Sequence, residues 1–303
     1  MFECLFLEEQ VKDNKYAKRN LEAFPDVPVR DIRKVEDVFG RVKKPYLQKR
    51  TNLNLFIGRK EGNLVKEAPD AYGLDGEPHF YFIHAYNCIY ECEYCYLQGY
   101  FNSPDLVFYV NHEEIVAEMH QTVKDNSDAK RVWFHAGEFS DSLALSHITK
   151  EWQIYWDFLE SNPAAMMELR TKSVNIKSIL QLKPLDNAVV SFSLSPGEAL
   201  KSYDHKTPSL KGRLKALASL ANSGFKVALH LDPIIDTETL DRDYRLLLQQ
   251  ITQVVKPDQI EYISLGVVRF TKDVYQQFKK NYPASKMQAA EFVTSFDNKV
   301  RYS

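Results

Sequence analysis

From Phe80 onward, apolar residues fall into short runs rich in β-branched and aromatic side chains, separated by longer windows in which they recur at helical spacing. Such alternation is the pattern of βα units laid around a parallel sheet. Six runs read as strands: Phe80 to Ile83, Arg131 to Phe134, Met167 to Arg170, Ala188 to Leu194, Phe225 to Leu231 and Ile260 to Leu265. Between them, Asn111 is placed to cap a helix over Glu113 to about Lys124, with Glu114 reaching back from its third position. Trp152, Tyr155, Trp156 and Leu159 form a helical stripe that reads as core. Leu210, Leu214, Leu217 and Leu220 line a helix that Gly224 ends, Leu240 to Val255 is helical, and Thr271 caps a last helix to about Tyr282. Six βα units predict an α/β fold with an open, partial (βα)6 barrel.

The flanks differ from this repeat. Residues 1–75 are charge-rich from Val11 to Val42, broken by Pro25 and Pro28, and hold one clear strand, Leu53 to Gly58. They read as an N-terminal α/β extension, joined through the turn-forming stretch Ala68 to Pro78 to a main domain over 76–285; residues 286–303 read as a tail. Lys43, Lys44, Lys49 and Arg50 make a small basic cluster whose simplest role is a solvated face.

Composition narrows the class without naming a partner. The chain has 303 residues, 44% hydrophobic and 26% charged, and 39 Lys and Arg balance 41 Asp and Glu, so no global positive field draws nucleic acid to it. The N-terminus has no basic region ahead of its brief apolar run, so no secretory signal is expected. No apolar run approaches the ~20 residues of a membrane helix, so no membrane partner is expected.

Cysteine usage changes the picture. Three of the four cysteines, Cys88, Cys92 and Cys95, lie within eight residues. Three crowded thiolates suit a soft metal or an iron-sulfur cluster, whereas a disulfide would leave one thiol over. On a 4Fe-4S cluster, three cysteines leave one iron open to a further ligand. The alternative is a zinc site with His84 as fourth ligand, in a non-catalytic, metal-stabilised nucleic-acid-binding protein; such a module would need a basic stripe, and no second Cys or His pair follows at finger distance. So few cysteines, mostly clustered, fit a reducing cytoplasm. Polar residues also gather where the predicted strands end: His135 to Asp141, Thr171 and Lys172, Ser193 and Ser195, His230 and Asp232, and Arg269. In a parallel barrel that rim carries the functional side chains.

The spacing Cys-x3-Cys-x2-Cys, with Tyr94 just before the last cysteine, resembles the signature of the radical S-adenosylmethionine superfamily. The resemblance implies a 4Fe-4S cluster whose open iron is chelated by S-adenosylmethionine, which is cleaved to a 5'-deoxyadenosyl radical. It also implies a reductant such as a flavodoxin or ferredoxin. A site for that cofactor needs an acceptor for its ammonium, a cation for its carboxylate and small polar groups beside its nucleoside. Glu138, which resembles the Gly-Glu element of these enzymes, suits the first, Lys172 the second, and Ser140 and Ser193 the third.

Longer strings narrow the resemblance to the spore photoproduct lyase family: Cys95-Tyr-Leu-Gln98, Phe134-His-Ala-Gly-Glu-Phe-Ser-Asp141, Thr171-Lys172, Phe192-Ser193, Lys206-Thr-Pro-Ser-Leu-Lys-Gly-Arg213-Leu214 and Arg269-Phe-Thr271. The likeness runs over about residues 50 to 285. It implies a DNA photoproduct as substrate and puts Tyr94 and Tyr96 where lyase tyrosines stack near the cofactor and relay a hydrogen atom. At Glu138 the family carries a cysteine that donates hydrogen to the product radical; here no cysteine follows Cys95. The family also has a further C-terminal segment that helps grip DNA, beyond the point where this chain stops.

Overall fold

The computed structural model describes residues 2–41, 53–69, 76–295 and 298–302. The basic cluster at Lys43 to Arg50 and the middle of the expected linker lie outside them.

The protein is a mixed α/β fold built on two large sheets. In the larger, six parallel strands follow one another in chain order: His79–Phe82, Val132–Ala136, Ala165–Thr171, Ala188–Ser193, Lys226–Ile234 and Ile260–Val267. Val65–Glu67 adds an antiparallel edge beside the first. The fourth strand is buried along its whole length, its apolar residues interrupted only by Ser191 and Ser193, as suits a strand covered on both faces. Outward-facing Phe134, Met167, Val190 and Leu229 pack with Trp152, Tyr155, Phe158 and Leu217 of the surrounding helices into the principal core.

The opposite face packs against itself. Trp133 of the second strand meets Tyr262 of the sixth edge to face, ring centroids 6.1 Å apart, and Arg131 bonds Glu261 at 3.2 Å. Four strand spacings of about 4.8 Å would hold these strands roughly 19 Å apart in a flat sheet. The sheet therefore curls, and its concave side encloses Trp133, Met166, Val189 and Ala228 with Tyr262.

Two local details depart from expectation. Residues 172–187, between the third and fourth strands, hold no α-helix, only the short 3-10 turn Ile179–Gln181, so the six strands are not joined by uniform βα units. Asn111 does not cap the helix His112–Asp125; its amide instead bonds the backbone of Lys60 in both directions, at 2.9 and 3.1 Å. Gly224 (φ +88°) and Thr271, whose hydroxyl accepts from the Val274 amide, end and begin their helices as expected.

The second sheet has the order Val29–Ile32, Phe2–Glu8, Leu53–Gly58, Leu106–Tyr109, Ala85–Tyr86. Its last two strands come from beyond the linker and pair antiparallel with each other. They bracket the cysteine loop. Buried Asn87, at φ +62°, closes the base of that loop by donating to the Ser103 and Asp105 carbonyls at 2.8 and 2.6 Å. Near the C-terminus, Arg269–Phe270, Phe292–Thr294 and Val300–Tyr302 form a small antiparallel sheet. Among the described residues, no helix is long and apolar enough to cross a membrane.

Phe134 is fully buried between sheet and helices, so Phe134→Ala should destabilise the fold by about 3–5 kcal/mol. A chemical denaturation midpoint shifted by much less than that would mean that the core had collapsed to fill the space.

Candidate active site

The cysteine loop is held from several sides. Glu91–Cys92 pairs antiparallel with Asp204–His205, and the Glu93 amide donates to the Tyr203 carbonyl at 2.9 Å. The Gln98 amide donates to the Cys92 carbonyl at 2.6 Å and to the Tyr282 hydroxyl at 2.9 Å. Glu93 accepts from His205 at 2.8 Å and from the Ser285 hydroxyl at 2.6 Å. With its backbone so restrained, the loop presents Cys88, Cys92 and Cys95 along one wall of a cleft of about 250 Å³.

None of the three forms a disulfide, and Cys92 is buried. Burial raises the Cys92 thiol well above its ordinary value; Asp204 and the other two cysteines add to this and Lys172 opposes it. Thiolates gathered this closely need a cationic centre among them, and an iron-sulfur cluster supplies one. A single metal ion fits less well. Among the described residues no three His, Cys, Asp or Glu side chains close on one ion position, and the His84 imidazole lies against Glu151, at 3.5 Å, and the Trp152 ring.

The other walls are the ends of the parallel strands. Glu138 and Ser140 follow the second strand, Lys172 the third, and Ser193 ends the fourth; all four line the cleft together with Tyr94 and Tyr96. Thus the nine side chains singled out in the sequence share one cavity. Gly137 turns the chain into it at φ +88°, where a Cβ would lie 2.6 Å from the Ser142 hydroxyl. The Tyr96 hydroxyl donates to the Glu138 carbonyl.

Three residues that sequence reasoning did not assign organise the walls. Asp141 accepts from the Leu143 and Ala144 amides (3.0 and 2.8 Å), the Thr171 hydroxyl (2.6 Å) and the Lys172 amide (2.7 Å), locking the second and third strand ends together. Asp204 accepts from the Tyr94 hydroxyl and from Arg213 at 3.0 Å, with the Lys172 ammonium 3.9 Å away. That ammonium also lies 5.3 Å from the centre of the Tyr94 ring. Arg213, fully buried, spends its other donors on the Ser193 and Pro208 carbonyls and the Thr207 hydroxyl, at 2.9, 3.1 and 2.6 Å. Burial opposes ionisation of Asp204, but Lys172, Arg213 and Tyr94 hold its carboxyl below the ordinary range. Burial, then the Asp204 charge, push the Tyr94 phenol well up, so it stays a neutral donor. A signal for Arg213 existed: it falls three residues after Leu210, on the apolar face of its helix. Asp204 left none, because a lone Asp between helix and turn looks like a solvated one.

A family model described as spore photoproduct lyase matches residues 79–298. The chain belongs to the spore photoproduct lyase family. It is 26% identical over 210 residues to the spore photoproduct lyase of Bacillus subtilis, a match spanning 68% of this chain and 61% of that protein. To that of Clostridium acetobutylicum it is 22% identical over 201 residues, 66% of this chain and 59% of that one. The matched segment is thus about three fifths of these relatives' length. A solved structure of a spore photoproduct lyase mutant with bound AdoMet and dinucleoside spore photoproduct matches the whole chain and 91% of its own, with a TM-score of 0.85 at 21% identity. A second, a spore photoproduct lyase complexed with dinucleoside spore photoproduct, gives 0.86 at 20%. At such identity these likenesses establish the shared fold.

Two outcomes follow from the Asp204 pair. Arg213→Leu removes the closest cation from a buried carboxylate, leaving Tyr94 and the more distant Lys172, and should cost about 3–5 kcal/mol of stability, measured by urea unfolding. Because the folded pKa of Asp204 is depressed, its stabilisation is fully present above the ordinary value of 3.8 and is lost as pH falls through the lower folded value. Asp204→Asn should lack that acid limb when unfolding is followed across the same range; an unchanged limb would assign it to other carboxylates.

Proposed function

We propose that this chain is a radical S-adenosylmethionine enzyme acting on a photoproduct in DNA, with the strands of its curled sheet forming an open, partial (βα)6 barrel around the site. Residues 76–285 form the catalytic domain in this reading, with 1–75 as extension and 286–303 as tail. The observation that carries it is one cleft that unites three cysteines with an acid, a lysine and two serines at consecutive strand ends. Cys88, Cys92 and Cys95 hold a 4Fe-4S cluster. When bound and reduced, by a partner such as a flavodoxin or ferredoxin in a reducing cytoplasm, that cluster provides the electron that splits the cofactor's sulfonium and releases a 5'-deoxyadenosyl radical.

The chain's own residues bind and orient. Glu138 accepts from the methionine ammonium, Lys172 pairs with its carboxylate, and Ser140 and Ser193 leave room and hydrogen bonds for the nucleoside. Asp141 supports Lys172 by receiving its backbone amide. The solved relatives bound to a dinucleoside photoproduct support the substrate class.

By the family resemblance, Glu138 takes the place of a hydrogen-donor cysteine. A carboxyl O–H bond is too strong to yield a hydrogen atom readily, so the atom returned to the substrate comes from another group. Tyr96 fits that role, because its hydroxyl bonds to the carbonyl of Glu138 itself. Tyr94, held to Asp204, lines the same cleft.

The protein purified without oxygen and reconstituted with iron and sulfide should be brown and, with dithionite, convert S-adenosylmethionine to 5'-deoxyadenosine. Cys92→Ala should abolish both properties. A colourless protein that binds zinc and leaves the cofactor intact would replace this reading with that of a metal-stabilised binding module. Glu138→Cys should keep the cluster and, with S-adenosylmethionine raised to saturation to offset the lost ammonium acceptor, raise turnover of a thymine photoproduct; no gain while 5'-deoxyadenosine still forms would count against a lyase whose hydrogen donor has been rearranged.

A further inference from the structure

Beneath the cleft, the concave face of the sheet carries a second polar group that cofactor binding leaves unused. Its centre is Glu168, wholly buried in the middle of the third strand. Its carboxylate accepts from the Ser191 hydroxyl at 2.5 Å, from His230 at 2.8 Å, from His135, and from Arg170 through Nε and one terminal nitrogen at 3.1 and 3.0 Å. His135 is backed by His79 at 2.9 Å and His230 by the Tyr262 hydroxyl at 3.2 Å. Burial opposes charge on Glu168, yet Arg170 and the two histidines keep it ionised, well below the ordinary carboxylate range. Burial holds His79 neutral, its value lowered to about 4.

Burying a carboxylate costs several kcal/mol unless its lone pairs are satisfied, so packing alone would favour apolar residues here. What this group does is aim one member upward. Arg170 lines the cleft with 30% of its side chain exposed, against 8% for His135, 5% for His230 and none for Glu168. A guanidinium gripped edge-on by both carboxylate oxygens has its plane and reach set.

The charge around it restricts what it can meet. Each cation lining the cleft has a carboxylate close by: Arg170 with Glu168 at 3.0 Å, Lys172 with Asp204 at 3.9 Å, Arg269 with Asp232 at 2.8 Å. Glu138 and Asp141 line the same cleft as further acids. A phosphate entering here finds no net positive charge, whereas a neutral acceptor finds fixed N–H donors.

We propose that Glu168 is a positioning residue that fixes Arg170 on the cleft floor, where the guanidinium donates to an uncharged carbonyl of the substrate, of the kind a pyrimidine base presents, and not to a phosphate. The inference rests on the radical reading above and names the part of the substrate that enters the cleft.

The test uses the reconstituted full chain and a short oligonucleotide carrying a thymine photoproduct, with its Kd measured across a series of salt concentrations. Arg170→Met and Arg170→Lys should each weaken binding by roughly 10- to 100-fold, with the dependence of log K on log salt unchanged. Lysine fails to rescue because it keeps the charge and loses the fork. Glu168→Gln should weaken binding in the wild-type background and add nothing in the Arg170→Met background, since it acts through Arg170. A salt slope that drops by about one in the Arg170 variants would assign a phosphate contact and overturn the proposal. So would unchanged affinity with a lowered melting temperature, which would leave the group as scaffold only. Wild-type protein that cleaves S-adenosylmethionine but does not bind the oligonucleotide overturns this inference and spares the radical reading; failure to cleave the cofactor overturns the reading itself.

Discussion

The ion pair between Asp204 and Arg213 is the constraint on which the cleft depends. Both side chains are out of contact with water, where breaking the pair removes the nearest compensating charge of each. Through it, three segments distant in sequence acquire fixed positions. The backbone of Asp204 pairs with Cys92, its carboxylate receives Tyr94 and faces Lys172, and Arg213 reaches the Ser193 carbonyl. Cysteine loop, third strand and fourth strand are thus registered against one another by a single buried contact.

The curled sheet supports this arrangement from below. Its convex face is apolar and close-packed against helices, whereas its concave face carries polar side chains above an apolar base, and these find partners largely among themselves. Trp133, Met166 and Tyr262 fill the base. Glu168 and its histidines form the layer above, and the cleft lined by the cysteines opens over them. A polar interior is tolerated because most of its hydrogen bonds are closed, although one ring nitrogen each of His79 and His230 has no partner among the described residues.

Much of this was legible in the sequence. Six strands followed from short β-branched and aromatic runs and the helices between them from the 3.6 period, since a strand covered on both faces and a helix with one buried stripe impose those patterns on any chain. The cysteine spacing and the polar residues at strand ends announced the site, because the end of a parallel strand is where a side chain can leave the wall. Less visible was the N-terminal sheet. Only Leu53 to Gly58 stood out there, and the strands Phe2–Glu8 and Leu106–Tyr109 were not assigned, the latter lying beyond the cysteines and far in sequence from the strands it joins.

By itself the sequence determined the fold class, the thiol cluster and the family, for these rest on local pattern and on strings of adjacent residues. Tertiary structure alone decided which polar residues meet. Asp204 pairs with Tyr94 across 110 positions and Glu168 with His230 across 62. Nothing in a residue's neighbours along the chain distinguishes a buried carboxylate from a solvated one. Only the curl of the sheet, which brings the second strand against the sixth, turns Arg170 and its partners into the floor of a site.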